Sequence, residues 1–410
     1  MNVDELVRDS LREQAAEQPA LGPGFAERVL TVRRRRRTRA LASAAAATAA
    51  AATAAVVAVA VAVPLLDSGK DDAHLASEMN PGDIIAHPDQ TPPRDLIAAG
   101  DVALAAYYTW SNVKQTDDRA VAVRTYRLLD QKTGTYAKTT KWSFIDVAPG
   151  MRTAAVLEKD LPAKRIGLLN LLTGEVERWI PVDRGVAGVE FSPDGSKLVA
   201  TTYSTNPDLR YKADYDSDGD GKKNDWMPQY GQSNRTGFYV LDVDSGKGAW
   251  SEVTHNSDDL NVRQDFAFSH DGKLVYSGLT TDPHMQYYDY AGNEVAKPAN
   301  EGYVHWFNDA GLSPDGKLVA GGYAGNNKKS ASELLDPYTG KRVTKVNGQQ
   351  LLAWVDDKRL IAWDITPGSN EFHNRLVLVT IGSDKGVPLS GFRKGNDGAA
   401  GRWTPIFAER

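Results

Sequence analysis

Phe191-Ser-Pro-Asp-Gly-Ser-Lys-Leu-Val-Ala200 is written twice more along the chain, as Phe268-Ser-His-Asp-Gly-Lys-Leu-Val-Tyr276 and Leu312-Ser-Pro-Asp-Gly-Lys-Leu-Val-Ala320. Each copy sets an apolar stretch, a tight turn and a second apolar stretch in order. Asp-Gly suits the turn because glycine takes positive φ without steric penalty and aspartate bonds to the backbone just ahead. Aligned on that glycine or its substitute, turns fall at Gly100, Gly150, Gly195, Gly272, Gly316 and Lys358. A second series, at Thr-Gly or its substitute, falls at Gly134, Gly174, Gly246, Gly292, Gly340 and Gly386. Both series count six units, and in both the step into or across the third unit is about thirty residues too long, so one insertion explains both excesses. A unit of about fifty residues built only of strands cannot bury its own apolar faces, and radial repetition of small sheets is the expected solution. Four strands per unit are predicted. In the fifth they run over Val304–Ser313, Lys317–Tyr323, Ser330–Leu335 and Arg342–Val346.

At residues 191–200, 268–277 and 312–321 the chain resembles the WD40-like β-propellers of the TolB type, whose repeat is written around Phe-Ser-Pro-Asp-Gly-Lys. Asp146-Val-Ala-Pro-Gly-Met-Arg152 and Val355-Asp-Asp-Lys-Arg-Leu360 carry the motif in weakened form. The repeat pattern lacks the Gly-His and Trp-Asp signature of eukaryotic WD repeats. The resemblance implies an all-β, six-bladed β-propeller over residues 95–410, with seven blades as the alternative. It implies a fold and not an activity, because propellers host binders, scaffolds and enzymes alike. Arg402-Trp-Thr-Pro-Ile-Phe407 is placed to supply a closing strand beside the first unit, which removes exposed sheet edges.

Upstream the composition changes. Residues 1–39 carry nine Arg against six Asp or Glu, and six of those Arg fall within Arg33–Arg39. Ala40–Leu66 follows without a single charge. As a helix it would be roughly 40 Å long, enough to cross a hydrocarbon core of about 30 Å. One transmembrane helix at 40–66 is therefore predicted, preceded by a cytoplasmic tail at 1–39, because flanking arginine stays on the cytoplasmic side. The protein is expected at the cell membrane as a single-pass chain with its propeller extracytoplasmic. A signal anchor is the leading reading, and cleavage near Ala62 the other. Polar, proline-containing residues 67–94 read as a linker.

The insertion, at about 204–235, holds Asp214-Tyr-Asp-Ser-Asp-Gly-Asp-Gly-Lys-Lys-Asn-Asp225. Counted from Asp214, acids stand at positions 1, 3 and 5, glycine at 6 and an acid at 12, the spacing of an EF-hand calcium loop. A hard divalent cation wants six to eight oxygens, and alternate residues of a turning loop aim carboxylates inward. Asp214, Asp216, Asp218, Asp220 (through its carbonyl) and Asp225 are the expected ligands, with calcium as the cofactor. Thr201–Tyr203 and Gly237–Leu241 on either side read as strands, so the loop resembles a calcium site grafted onto the repeat. A solvated acidic loop is the plain alternative.

The rest is quieter. The chain has 410 residues, 41% hydrophobic and 25% charged, with net charge −5 and no cysteine. That balance gives no pull toward nucleic acid, and the missing cysteines exclude disulfides and thiolate metal sites. No Gly-x-Ser-x-Gly elbow, His-Glu-x-x-His helix or phosphate loop is present. His255, His270, His284, His305 and His373 lack ligand spacing; only His284, in an inter-strand loop, is a candidate for a binding face. Trp110, Trp226, Trp306 and Trp363 are read as packing between sheets. The longer connections, Ser111–Arg119, Ser204–Arg235, Thr280–Gln286, Gly325–Ser330 and Thr366–Asn374, should share the rim opposite the Asp-Gly and Thr-Gly turns, and binding concentrates on loop-rich rims. The expected function is a membrane-tethered binding module for another envelope protein or a cell-wall component, not an enzyme. Two alternatives stand beside it: an extracytoplasmic hydrolase-like enzyme with acids at the central channel, and a signalling anchor coupled to the tail.

Overall fold

The computed structural model describes residues 80 and 82–410, apart from 217–220, 229–233, 254–262, 280–281, 327–328, 366–369 and 396–401. The expected tail at 1–39, the membrane segment at 40–66 and the first part of the linker lie outside the described residues. Among the described residues no helix is long and apolar enough to cross a membrane.

What is described is all-β, in successive antiparallel meanders. In the second unit Trp142–Val147, Thr153–Glu158 and Ala163–Asn170 pair in order. One long extended stretch, Val176–Phe191, then serves two units. Its Ile180 pairs with Ile166 of the second unit, and its Glu190 pairs with Val199 of the third. The third unit continues through Lys197–Tyr203, Arg235–Asp242 and Gly248–Glu252. The sixth runs Gln350–Asp356, Arg359–Ile365, Asn374–Thr380 and Val387–Pro388. Second strands are apolar without alternation, with Leu198, Val199 and Ala200 all fully buried, because each sheet is covered on both faces.

The repeated motif folds the same way each time. Ser192, Ser269 and Ser313 are buried, and each hydroxyl donates to the turn aspartate two residues on (Asp194, Asp271, Asp315) while accepting a backbone N–H of the following strand. The Ser192 and Ser196 bonds hold the Asp194 carboxyl down at about 2. The turn glycines of both series from Gly100 to Gly340 have φ between 55° and 82°, the left-handed region. In the sixth unit the positive φ falls at Gly382 instead of Gly386, within the same connection.

Six buried clusters join neighbouring units in turn. Tyr126 of the first unit meets Ile145 and Leu169 of the second, and Leu168 and Ile180 meet Leu198 and Leu241 of the third. Phe238 meets Phe266 and Tyr288 of the fourth, and Met285 and Tyr287 meet Leu312 and Val319 of the fifth. Leu334 meets Leu351 and Leu360 of the sixth. The sixth then meets the first, through Leu352, Trp363 and Leu376 against Ile97, Leu104 and Trp403. The meanders therefore close into a ring.

The closing strand is the C-terminal one. Thr404–Glu409 pairs with Val102–Lys114, which pairs with Arg119–Asp130 and then Thr135–Thr139, so the first sheet takes one strand from the end of the chain and three from its start. Residues 82–94, read from composition as the end of a linker, are folded onto this seam. Ile84–Ile85 pairs with Ala98–Ala99, His87 bridges Ser390, and Tyr107 donates to the Pro93 carbonyl. Proline there marks a tightly packed entry segment, not a spacer.

The fifth unit departs from its expected first strand. Over Val304–Ser313 only Leu312 bridges to Val319. Turns closed by Asn308 N–H to the His305 carbonyl and by Gly311 N–H to the Asn308 carbonyl interrupt it, and the Asn308 amide is spent on the Ala320 carbonyl. Val304 stays buried and Tyr303 lies against Gly340, while Trp306 and Phe307 are left exposed.

Candidate functional site

The connections between second and third strands lie on the rim opposite the Asp-Gly turns, as the sequence predicts, and the longest of them builds a structure of its own. After Tyr203 the chain leaves the third unit, and Leu209–Lys212 pairs on one side with Trp226–Met227 and on the other with Arg119–Val121 of the first unit. The insertion is thus a hairpin laid against the extended end of the first sheet.

Its tip is the acidic motif. The Ala213 N–H donates to the Asp225 carbonyl and the Asp225 N–H to the Tyr215 carbonyl, bringing positions 1 and 12 together. Asp216 accepts the Gly221 N–H at 3.1 Å. Of the five expected ligands, Asp214, Asp216 and Asp225 are among the described residues. Asp218 and Asp220 lie outside the described residues. Among the described residues no three His, Asp or Glu side chains stand close enough to hold a metal.

At its root the hairpin carries Asp208, with a side chain only 2% exposed. Arg124 of the first unit contacts both its oxygens, at 2.7 and 3.2 Å, and Arg263 approaching the fourth unit reaches it at 2.9 Å. Arg263 also contacts Asp265 at 2.9 Å and donates to the Ala187 carbonyl of the third unit. Asp265 accepts the Tyr203 hydroxyl at 2.8 Å. Both guanidiniums lie against the Phe144 ring of the second unit, at 5.7 and 4.9 Å. Four units and the insertion meet here. Burial pushes the Asp208 carboxyl up, but Arg263 and Arg124 outweigh it and hold it below its ordinary value. Gly188 has a steric reason: a Cβ there would fall 2.4 Å from the Asp265 carboxyl carbon.

Below this network the first strands converge. Asp146 accepts the Phe191 N–H at 2.7 Å, and Glu190 accepts the Phe268 N–H at 3.1 Å, each across a unit boundary. Burial, then the neighbouring Asp146, raises Glu190 to about 8, and burial raises Asp146 to about 6. The fold therefore favours protonated Glu190. That contribution is complete below its ordinary 4.5 and is lost as pH rises through about 8. Glu190→Gln keeps the acceptor oxygen and removes the titration. It should match the parent in melting temperature at pH 5 and exceed it by roughly 5 °C at pH 8; parallel melting curves across that range would rule out the buried acid.

Beside the network a cavity of about 210 Å³ is lined by Arg263, Gln264, Asp265, Ala267, Tyr276, Gly278 and Trp306. Trp306 is 42% exposed, sits against Gly278 and donates its indole N–H to the Leu279 carbonyl at 2.8 Å. Beyond it His305 stacks on Phe307 at 5.1 Å and meets His284 edge-on at 5.0 Å, while His284 contacts Asp282 at 3.1 Å. Burial pushes the His305 imidazole down, and His284 adds to that. Of the four tryptophans read as packing, Trp363 is buried, Trp110 and Trp226 are half-buried, and Trp306 is open. Arg124, Asp208, Arg263 and Tyr276 were not among the sequence-derived candidates; only the unbroken length of the insertion hinted that something held its root.

No protein family matches the chain, and no curated protein is similar to it in sequence. Solved structures with some likeness include hydrazine synthase of Kuenenia stuttgartiensis (13% identity, TM-score 0.34, covering 63% of this chain and 70% of that one). TolB from Acinetobacter baumannii is similar at 14% identity and a TM-score of 0.33, over 70% of this chain and 66% of that one. Dipeptidyl peptidase 4 of Porphyromonas gingivalis reaches a TM-score of 0.38 at 11% identity, over 75% of this chain and 47% of that one. Likeness of this size adds no argument to the strand pairing.

Proposed function

We propose that the chain is a binding module: a six-bladed β-propeller, tethered to the membrane by residues 40–66 with its N-terminus cytoplasmic, that contacts an envelope protein or cell-wall component through its loop-rich rim. The observation that carries this reading is the Asp208 network, which anchors the long insertion beside an open, aromatic-walled cavity on that rim. Six meanders joined by six buried clusters, the sixth meeting the first, support six blades. Calcium held by Asp214, Asp216, Asp218, Asp220 and Asp225 orders the hairpin tip, offsetting part of the about 1–2 kcal/mol per residue of backbone freedom lost there.

The hydrolase-like alternative would call on Asp146 and Glu190. Against it, Asp146 and Glu190 each spend an oxygen on a neighbouring strand's N–H, a ring-holding role. The signalling alternative rests on residues outside the described part. Calorimetric titration of the full-length chain with calcium should give a saturable heat that Asp216→Ala and Asp218→Ala each abolish. No heat, or equal heats in parent and variants, would remove calcium from the proposal.

A further inference from the structure

We propose that the chain pairs with a second copy of itself, strand to strand, along Thr109–Lys114; this does not depend on the binding-module reading. On one side the strand Val102–Lys114 is paired with Arg119–Asp130 from Ala106 through Lys114. On the other side the closing strand Thr404–Glu409 covers it only from Val102 to Tyr108. Trp403 packs instead against Trp363 and Tyr107, and Thr109–Lys114 is left as a sheet edge. Hydrogen-bonded and non-hydrogen-bonded pairs alternate along an antiparallel ladder. The Gln115 N–H donates to the Arg119 carbonyl, in the register that sets Lys114 opposite Ala120. Thr109, Ser111 and Val113 therefore spend their backbone groups on Arg119–Asp130, while Trp110, Asn112 and Lys114 turn theirs the other way. The same alternation points the Ala122 N–H away from this strand, and it donates to the Asp208 carbonyl. Among the described residues nothing bonds the outward N–H and C=O groups of Trp110, Asn112 and Lys114. Ser111, Val113 and Lys114 are exposed.

An open edge calls for another strand, and the residues along it favour this one. Edges that stay single carry proline, a bulge or charges. Thr109–Lys114 has no proline, its register is unbroken, and its one charge stands at the far end. Across a two-fold axis the outward residues pair with one another. Centred on Trp110, the ladder would set Asn112 opposite the partner's Tyr108, a residue already held by Thr404. Centred on Lys114, it would set two lysines face to face, which destabilises a pair. Centred on Asn112, it uses the whole edge: amide faces amide, and Trp110 faces Lys114, an indole beside an ammonium. Ser111 then faces Val113, and no like charges meet. The Lys114 ion pair with Asp117 is exposed at both ends and gives way at little cost. Self-complementarity in a single register is what favours a second copy over a strand of another protein.

The test uses the full-length chain in detergent. Sedimentation equilibrium should show monomer and dimer with a Kd on the order of 10 μM, because a paired edge is smaller than a standard interface. Asn112→Pro removes an outward N–H that bonds nothing within the chain, so it should melt with the parent and stay monomeric where the parent is dimeric. Asn112→Asp sets two carboxylates opposite each other and should raise the Kd about fivefold, an effect that salt removes. The chain has no native cysteine. Asn112→Cys places two thiols at the two-fold, where the Cα atoms of a hydrogen-bonded pair stand about 5.5 Å apart, within disulfide reach. Oxidation should join those chains, and should not join Lys132→Cys chains, whose thiol sits in an exposed turn. A parent that stays monomeric up to about 200 μM would overturn the inference and leave the edge to a strand of another protein. A dimer that Asn112→Pro leaves intact would overturn it too, and would place the contact elsewhere, residues 40–66 included. Should proline disturb the hairpin itself, the other variants decide: an unchanged Kd for Asn112→Asp at low salt, or cross-linking no faster at Asn112 than at Lys132, would equally overturn it.

Discussion

Asp208→Asn is expected to destabilise the ring by about 3–5 kcal/mol, because it leaves two buried guanidiniums without a counter-charge. Asparagine keeps the shape and one acceptor oxygen, so the loss isolates the charge. Arg124 and Arg263 have side chains only 14% and 16% exposed and cannot turn out to water without breaking their contacts with Phe144. The variant should melt about 10 °C below the parent. Adding Arg124→Leu to Asp208→Asn should recover part of that loss, since one unpaired cation is removed; sites sharing a partner do not add. Amide exchange should quicken first at Leu209–Lys212, the strand that Asp208 pins to Arg119–Val121. A variant with the parent's melting point would mean the network is not buried as described. The lowered Asp208 value also fixes the acid limit: its stabilisation is present above the ordinary carboxylate range and is lost as pH falls through the folded value.

Trp403→Ala should cost about 3–5 kcal/mol, the range for a fully buried large aromatic. Trp403 is 1% exposed and sits where the two chain ends meet. Its ring lies edge-on to Tyr107 at 5.6 Å and to Trp363 at 5.3 Å, and its N–H reaches Thr91 at 3.2 Å. Arg393 covers Trp363 at 3.6 Å and donates to the Trp403 carbonyl at 2.8 Å, so the cavity left behind cannot collapse without unpairing a buried guanidinium. Ending the chain before Trp403 removes the whole strand Thr404–Glu409. That truncation should leave no cooperative thermal transition, since it opens the ring and exposes the edge of Val102–Lys114. A truncated chain that melts like the parent would contradict closure by this strand.

The fold was legible because its signal is local. Ser192, Asp194 and Gly195 make their bonds within five residues, so each turn is written whole in the sequence and six turns can be counted. Thr201–Tyr203 and Gly237–Leu241 were readable as strands for the same reason. The site was not legible, because Arg124 lies 84 residues from Asp208, and the pairing of Leu209–Lys212 with Arg119–Val121 that brings them together leaves no local mark in the sequence. The exposure of Trp306 was missed for a different reason. Val304–Ser313 has strand-like composition, and the turns at Asn308 and Gly311 that expose Trp306 depend on an amide bond to Ala320 in the next strand. The acidic motif of the insertion shows both sides: its spacing was plain, whereas the pairing of its hairpin with the first unit was not.

The most direct measurement uses the absence of native cysteine. Ala103 and Ala408 are paired across the closing strand and buried in the same cluster. Cross-strand neighbours stand close enough for a disulfide. Oxidised Ala103→Cys/Ala408→Cys full-length chain should lose the mass of two hydrogens, resist alkylation after unfolding, and stay joined when a protease cuts between the two positions. Two alkylatable thiols in the oxidised, folded protein would mean that the ends do not meet and that the ring does not exist.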